Sequence, residues 1–142
     1  MMDLGPNVKI TEALAYADGS ADRFGATLDM VGWHGVLIVV SSAVIAAGAV
    51  YKIKAQQDVV PGMSGAADLA GTGLVIGDDE DNKVHWIDLK PRERYVRLVV
   101  DKDAVNACAE SALYIQYGPY GVSLPVTDVD GETHSGPAEG TA

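Results

Sequence analysis

Four consecutive carboxylates, Asp78, Asp79, Glu80 and Asp81, are the densest set of potential ligands in the chain. Calcium takes about six to eight oxygen ligands, and carboxylates supply them. An EF-hand loop, however, alternates Asp or Asn up to a Gly and ends its set with Glu, and this run does neither. Apolar runs at 74–76 and 84–89 flank it, so it reads as the solvated tip of a β-hairpin. Zinc would need other donors: His34, His85, His134 and Cys108 are candidates. Structural zinc sites carry closely spaced ligand pairs, whereas the nearest two histidines here are 51 positions apart (85 − 34). A cysteine nucleophile needs an electropositive setting. Cys108 lies instead in Asn106-Ala107-Cys108-Ala109-Glu110 and reads as a small buried hydrophobe. Neither a G-x-S-x-G elbow nor a P-loop is present. The expectation is a protein that is not an enzyme and needs no cofactor or metal.

Composition narrows the partners. The 142 residues include 20 acidic and 10 basic ones, a formal charge of −10. Phosphate backbones are bound mainly through Lys and Arg, so nucleic acid is not an expected partner. A hydrophobic fraction of 48% supports one domain with a real core. The single cysteine cannot form an internal disulfide, and Met1-Met2-Asp3-Leu4-Gly5-Pro6 does not read as a signal peptide. Residues 35–51 are almost wholly apolar, but Ser41, Ser42 and Gly48 interrupt them and Lys52 and Lys54 follow. A spanning helix needs about 20 apolar residues, so no membrane association is expected.

The elements that must position these residues are strands. Apolar or alternating runs recur with turn residues between them, the pattern of an all-β sandwich or barrel. Candidate strands are 8–16, 27–33, 36–41, 50–56, 74–76, 84–89, 95–100 and 113–117. In the fourth, Tyr51, Ile53 and Ala55 alternate with Lys52, Lys54 and Gln56, so one face is buried and one is wet. The same period places Val36, Ile38, Val40, Val96, Leu98, Leu113 and Ile115 in the core. Residues 103–112 read either as a helical turn capped by Asp103 or as a loop. The uncharged stretch 42–49 either extends its flanking strands or forms an apolar loop that a partner covers. Residues 1–7 form a short N-terminal arm, 8–121 the sandwich domain, and 122–142 an extended C-terminal arm with four acidic residues and no basic ones.

Six of the ten basic residues, Lys83, Lys90, Arg92, Arg94, Arg97 and Lys102, fall between positions 83 and 102. They are either a solvated strand face or a docking patch for an acidic protein surface.

Several strings carry a resemblance. Leu28-Asp29-Met30 with Gly32-Trp33 and Gly35-Val36, Tyr51 with Lys54-Ala55-Gln56, and Asp68-Leu69-Ala70-Gly71-Thr72 are three of them. Tyr95-Val96-Arg97, Ile115-Gln116-Tyr117-Gly118, and Glu132-Thr133-His134 with Pro137-Ala138-Glu139-Gly140 continue it over most of the chain. Together they resemble the capsid cement, or decoration, proteins of tailed bacteriophages. The resemblance implies a jelly-roll-like, two-sheet β-sandwich with extended arms, assembled as a dimer or trimer. It also implies a virion protein, made in the host cytoplasm, that binds major capsid protein on the outer capsid surface. It transfers no site residues. Composition alone nominates Arg92, Arg94, Arg97, Thr127, Glu132, His134 and Glu139 as capsid contacts, and Val44 and Ile45 as oligomer or capsid contacts. The alternatives are a tail or head-completion component, or a carbohydrate-binding module using Trp33, Trp86, Tyr114, Tyr117 or Tyr120.

Overall fold

The computed structural model describes residues 3–124 and residues 131, 132, 134, 136, 138 and 139. Ten strands follow in order: β1 (Lys9–Gly19), β2 (Arg23–Phe24), β3 (Leu28–Asp29), β4 (Trp33–Ile45), β5 (Val50–Asp58), β6 (Ala67–Asp68), β7 (Leu74–Gly77), β8 (Val84–Leu89), β9 (Tyr95–Lys102) and β10 (Cys108–Pro119). Two antiparallel sheets result. Sheet A has the order β1-β10-β4-β8, and in sheet B β9 and β5 lie at the centre, with β2 and β3 on β9 and β6 and β7 on β5. The pairing is nested: β1 with β10, β2 and β3 with β9, β4 with β8, β5 with β6 and β7. Counting β2/β3 and β6/β7 as interrupted strands leaves eight, wound as a jelly roll. The expected all-β, two-sheet sandwich is the observed one.

The alternation in the central strands explains why the sheets close on each other. Val36, Ile38 and Val40 of β4 meet Tyr51, Ile53 and Ala55 of β5 and Val96, Leu98 and Val100 of β9 in one core. Their β-branched and aromatic side chains suit a pleated surface; the alternate residues are polar in β5, Lys52, Lys54 and Gln56, whereas in β4 they are Leu37 and Val39. The apolar run at 35–51 is thus β4, a turn at 47–48 and the start of β5. Among the described residues no helix is long and apolar enough to cross a membrane.

Tyr114 links the two sheets. From β10 its hydroxyl donates to the Ala26 carbonyl and accepts from the Leu98 amide, both at 2.8 Å. It thereby fills the break between β2 and β3, where the ladder to β9 is interrupted. Gly25 makes this possible, because a Cβ there would stand 2.6 Å from the Tyr114 hydroxyl.

Several expectations need correction. Leu113 is 43% exposed and Ile115 is half-buried, because β10 turns Ala112, Tyr114 and Gln116 inward instead. Both faces of that strand carry apolar residues, and the polar groups facing inward find partners; Gln116 Nε2, for instance, donates to the Asp29 carbonyl at 2.9 Å. The expected strand at 27–33 shrinks to β3, followed by a turn at Val31 and Gly32 that leads into β4. The expected hairpin of 74–76 with 84–89 does not form, since β7 pairs with β5 in sheet B and β8 with β4 in sheet A. The acidic run is the crossover between the sheets. Of the two readings of 103–112 the loop holds for 103–106, where Asp103 Oδ1 accepts from the Val105 and Asn106 amides, but from Cys108 on the segment is already β10.

Candidate functional site

The jelly roll sorts its connections to two ends of opposite character. One end gathers the β1–β2, β4–β5, β7–β8 and β9–β10 connections. Asp22, Asp78, Asp79, Glu80, Asp81 and Asp103 all lie on them. Their carboxylates do structural work: Asp81 Oδ1 accepts from the Ile45 amide at 2.7 Å, Asp78 Oδ2 from Gly48 at 2.6 Å, and Asp22 Oδ1 from Lys102 at 2.8 Å. The amides of Asn106 and Val105 hold the Asp103 carboxyl below the usual carboxylate range. The crossover therefore clamps the β4–β5 turn.

The cations of this end are largely spent within the fold. Lys102 Nζ donates to the carbonyls of Gly19 and Cys108 at 2.9 Å, and meets Glu110 Oε2 at 2.9 Å as a charge contact. Arg23 completes the triad, 2.7 Å from Glu110 Oε1. Cys108, beside it, is buried, and that burial pushes its thiol up, away from thiolate chemistry.

The opposite end gathers the β3–β4 turn, the β5–β6 and β8–β9 loops, the N-terminal 3-10 turn Gly5–Asn7 and the chain after Pro119. Arg94 grips Asp29 with two bonds, Nε to Oδ1 at 2.9 Å and NH2 to Oδ2 at 2.7 Å. That guanidinium, with desolvation opposing it, holds the Asp29 carboxyl below its ordinary value, and Asp29 in turn raises Arg94. Gln57 Oε1 accepts from the amides of Arg92 and Glu93 and sets the next part of the loop. At the end of β5, burial would raise the Asp58 carboxyl, but the amides of Gly65, Val60 and Val59 in the β5–β6 loop that donate to it win and leave it lowered.

The outgoing chain is seated here as well. Tyr120 donates its amide to the Gly32 carbonyl at 2.7 Å, and its ring lies 4.6 Å from that of His34. Gly32 has φ +87°, and a Cβ there would overlap the Val122 side chain. A groove of about 270 Å³ opens between these parts; Met30, Trp33, Arg92, Glu93, Arg94 and Tyr120 are among the residues that line it.

The six clustered basic residues do not form one patch. Lys102 is buried at the acidic end, and Arg97 lies on the outer side of sheet B, bonded to Gln56 at 2.9 Å and 4.6 Å over the Phe24 ring. Arg92 and Arg94 alone of the nominated arginines share the groove, and the Arg92 side chain is exposed. Val44 is 66% exposed, whereas Ile45 is 4% exposed and belongs to the core, so Ile45 is withdrawn as a surface contact. Glu132 and His134 pair at 2.8 Å, and Glu139 is exposed; Thr127 lies outside the described residues. Of the aromatic candidates for a sugar platform, Trp33 and Tyr114 are buried, and Tyr117 bonds Asp88 at 2.5 Å. Trp86 is on sheet A and Tyr120 at the groove, so these two exposed candidates lie on different parts of the body. Among the described residues no set of three or more His, Cys, Asp or Glu could hold a metal ion.

Sequence reasoning missed Asp29 and Tyr120 as parts of this end. The alternation of acid and base in Asp29 and Arg94, far apart in sequence, carries no local signal. No protein-family model, curated protein or solved structure matches this chain.

Proposed function

We propose that this protein is a virion structural protein that binds the outside of an assembled phage capsid and stabilises contacts between neighbouring major capsid protein subunits. The resemblance of its sequence to capsid cement proteins supports the class. The observation that carries the orientation is the convergence of the N-terminal turn, the outgoing chain and the Arg92–Arg94 loop at one end of the body, with the carboxylate-rich crossover at the other. A small body that docks by the first end keeps its acidic end in solvent, and the chain enters β1 and leaves β10 at the docked end.

A ligand that binds only the assembled state stabilises it by mass action. An arm that engages a second subunit adds to this through effective concentration. The test adds purified protein to shells that lack it, and measures occupancy and the shell's melting temperature. Saturable binding with a raised melting temperature is expected. Failure to bind, or binding in only a few copies per particle, would move the protein to a tail or head-completion role. Truncation after residue 125 should leave a folded body that leaves the shell faster.

A further inference from the structure

The outer faces of the two sheets differ in kind. On sheet B, Lys52 stands opposite Asp101, Lys54 pairs with Asp68 at 2.8 Å, and Arg97 covers Phe24. That face satisfies its own charges in water. On sheet A the cross-strand register sets two apolar rows side by side: Ile10, Ile115 and Leu37 in one, Leu113, Val39 and Trp86 in the next. Trp86 is 62% exposed. The rows end in carboxylates at diagonally opposite corners, Glu12 beside Leu113 and Asp88 beside Leu37. Asp88 already accepts from the Tyr117 hydroxyl.

We infer that this face of sheet A is the surface on which a second copy of the chain docks, sheet against sheet about a two-fold axis. Charge decides where a second copy can sit. A chain of net charge −10 repels its own copies wherever its carboxylates lie. Here two copies meet with both carboxylates at the rim and none under the apolar rows. The shape agrees, because stacked sheets pack through interdigitated apolar side chains and a two-fold contact needs one self-complementary patch. Area sets the strength: four strands at about 4.8 Å spacing, over about six residues of length, give roughly 400 Å² of projected face per copy. That is about half of the roughly 800 Å² per partner of a standard interface, so the dimer is weak and reversible. Self-contact thereby moves from Val44 and Ile45 to sheet A, and it stands independently of what the opposite end of the body binds.

Sedimentation over a roughly hundredfold concentration range tests it, with Trp86→Glu and Leu113→Glu on the face and Val75→Glu on sheet B as the control. The expected result is a monomer–dimer equilibrium that both face variants weaken about tenfold or more and the control leaves unchanged. Acrylamide quenching of the unaltered protein needs no variant to fold: exposed Trp86 should become protected as concentration rises, while buried Trp33 stays constant. A monomer throughout with unchanging quenching overturns the inference. So does a dimer that the face variants leave intact. Loss of shell occupancy by the face variants of a monomeric protein would assign the face to the shell and likewise exclude the second copy.

Discussion

Lys102 and Glu110 face each other 2.9 Å apart with side chains 1% and 0% exposed, an ion pair sealed at the acidic end of the sandwich. Arg23 and two backbone carbonyls satisfy the charges that remain. Removing one partner of such a pair leaves a buried charge without its counterion, which costs about 3–5 kcal/mol. Glu110→Gln should show that loss in urea denaturation. The double variant Lys102→Met/Glu110→Leu should recover most of it, and a double variant as unstable as the sum of the singles would refute the coupling.

Tyr114 and Gly25 form the second coupled pair. Tyr114→Phe strands the Leu98 amide and the Ala26 carbonyl, at about 1–3 kcal/mol. Gly25→Ala pushes a methyl group against the same hydroxyl. Combining the two should cost less than their sum, since removing the hydroxyl makes the room; strict additivity would mean that the contact is not the cause.

Stability should fall at both extremes of pH. Burial lifts Tyr51 and Tyr114 from 10.0 to about 12, and burial with the Asp88 carboxylate does the same for Tyr117. The unfolded chain loses these protons first, so stability is full below pH 10.0 and declines toward pH 12. Tyrosinate absorbance should therefore lag behind that of the urea-unfolded chain. On the acid side Asp29, Asp68 and Asp103 lie below 3.8, lowered by Arg94, by Lys54 and by backbone amides respectively. Their contribution is present above pH 3.8 and is lost as pH drops through the lowered values. Denaturation midpoints flat from neutral pH to about pH 2 would contradict this.

Arg92 is the clean probe of the proposed shell contact. Arg94→Glu would break the grip on Asp29, and Arg97→Glu would uncover Phe24, so both confuse folding with binding. Arg92→Glu should preserve the melting temperature of the free protein while slowing its association with shells, with a weaker dependence on salt. Unchanged association would remove the groove from the interface.

The fold class and most of the core were legible in the sequence because period-two alternation is clear in β5 and in Val96, Leu98 and Val100 of β9, and because the continuous apolar run of β4 has the length and β-branching of a strand. Tyr51, Ile53 and Ala55 are buried as that pattern requires. β10 was misread for a physical reason: Leu113 and Ile115 are as apolar as a core face, and the inward residues Glu110, Tyr114 and Gln116 look polar until their partners on other strands are known. The acidic crossover was misread similarly, since nothing local shows that Asp81 reaches the Ile45 amide. At the groove, Arg92 and Arg94 were visible as a cluster, but Asp29, which holds Arg94, and Tyr120, which lines the groove, come from distant parts of the chain.

The nested pairing has a consequence for how the chain is made. β10 lies between β1 and β4, and it is synthesised after every other strand of the body. Until it emerges, β1 has no neighbour in its sheet and β4 has only β8. Sheet A therefore assembles late and from its outside inward, which makes folding slow compared with domains of local contacts. The waiting chain presents two open strand edges and an uncovered core, the state in which β proteins aggregate. Yield of folded protein should rise when synthesis is slowed or cooled, and the aggregates that form at fast expression should consist of full-length chains able to refold from urea.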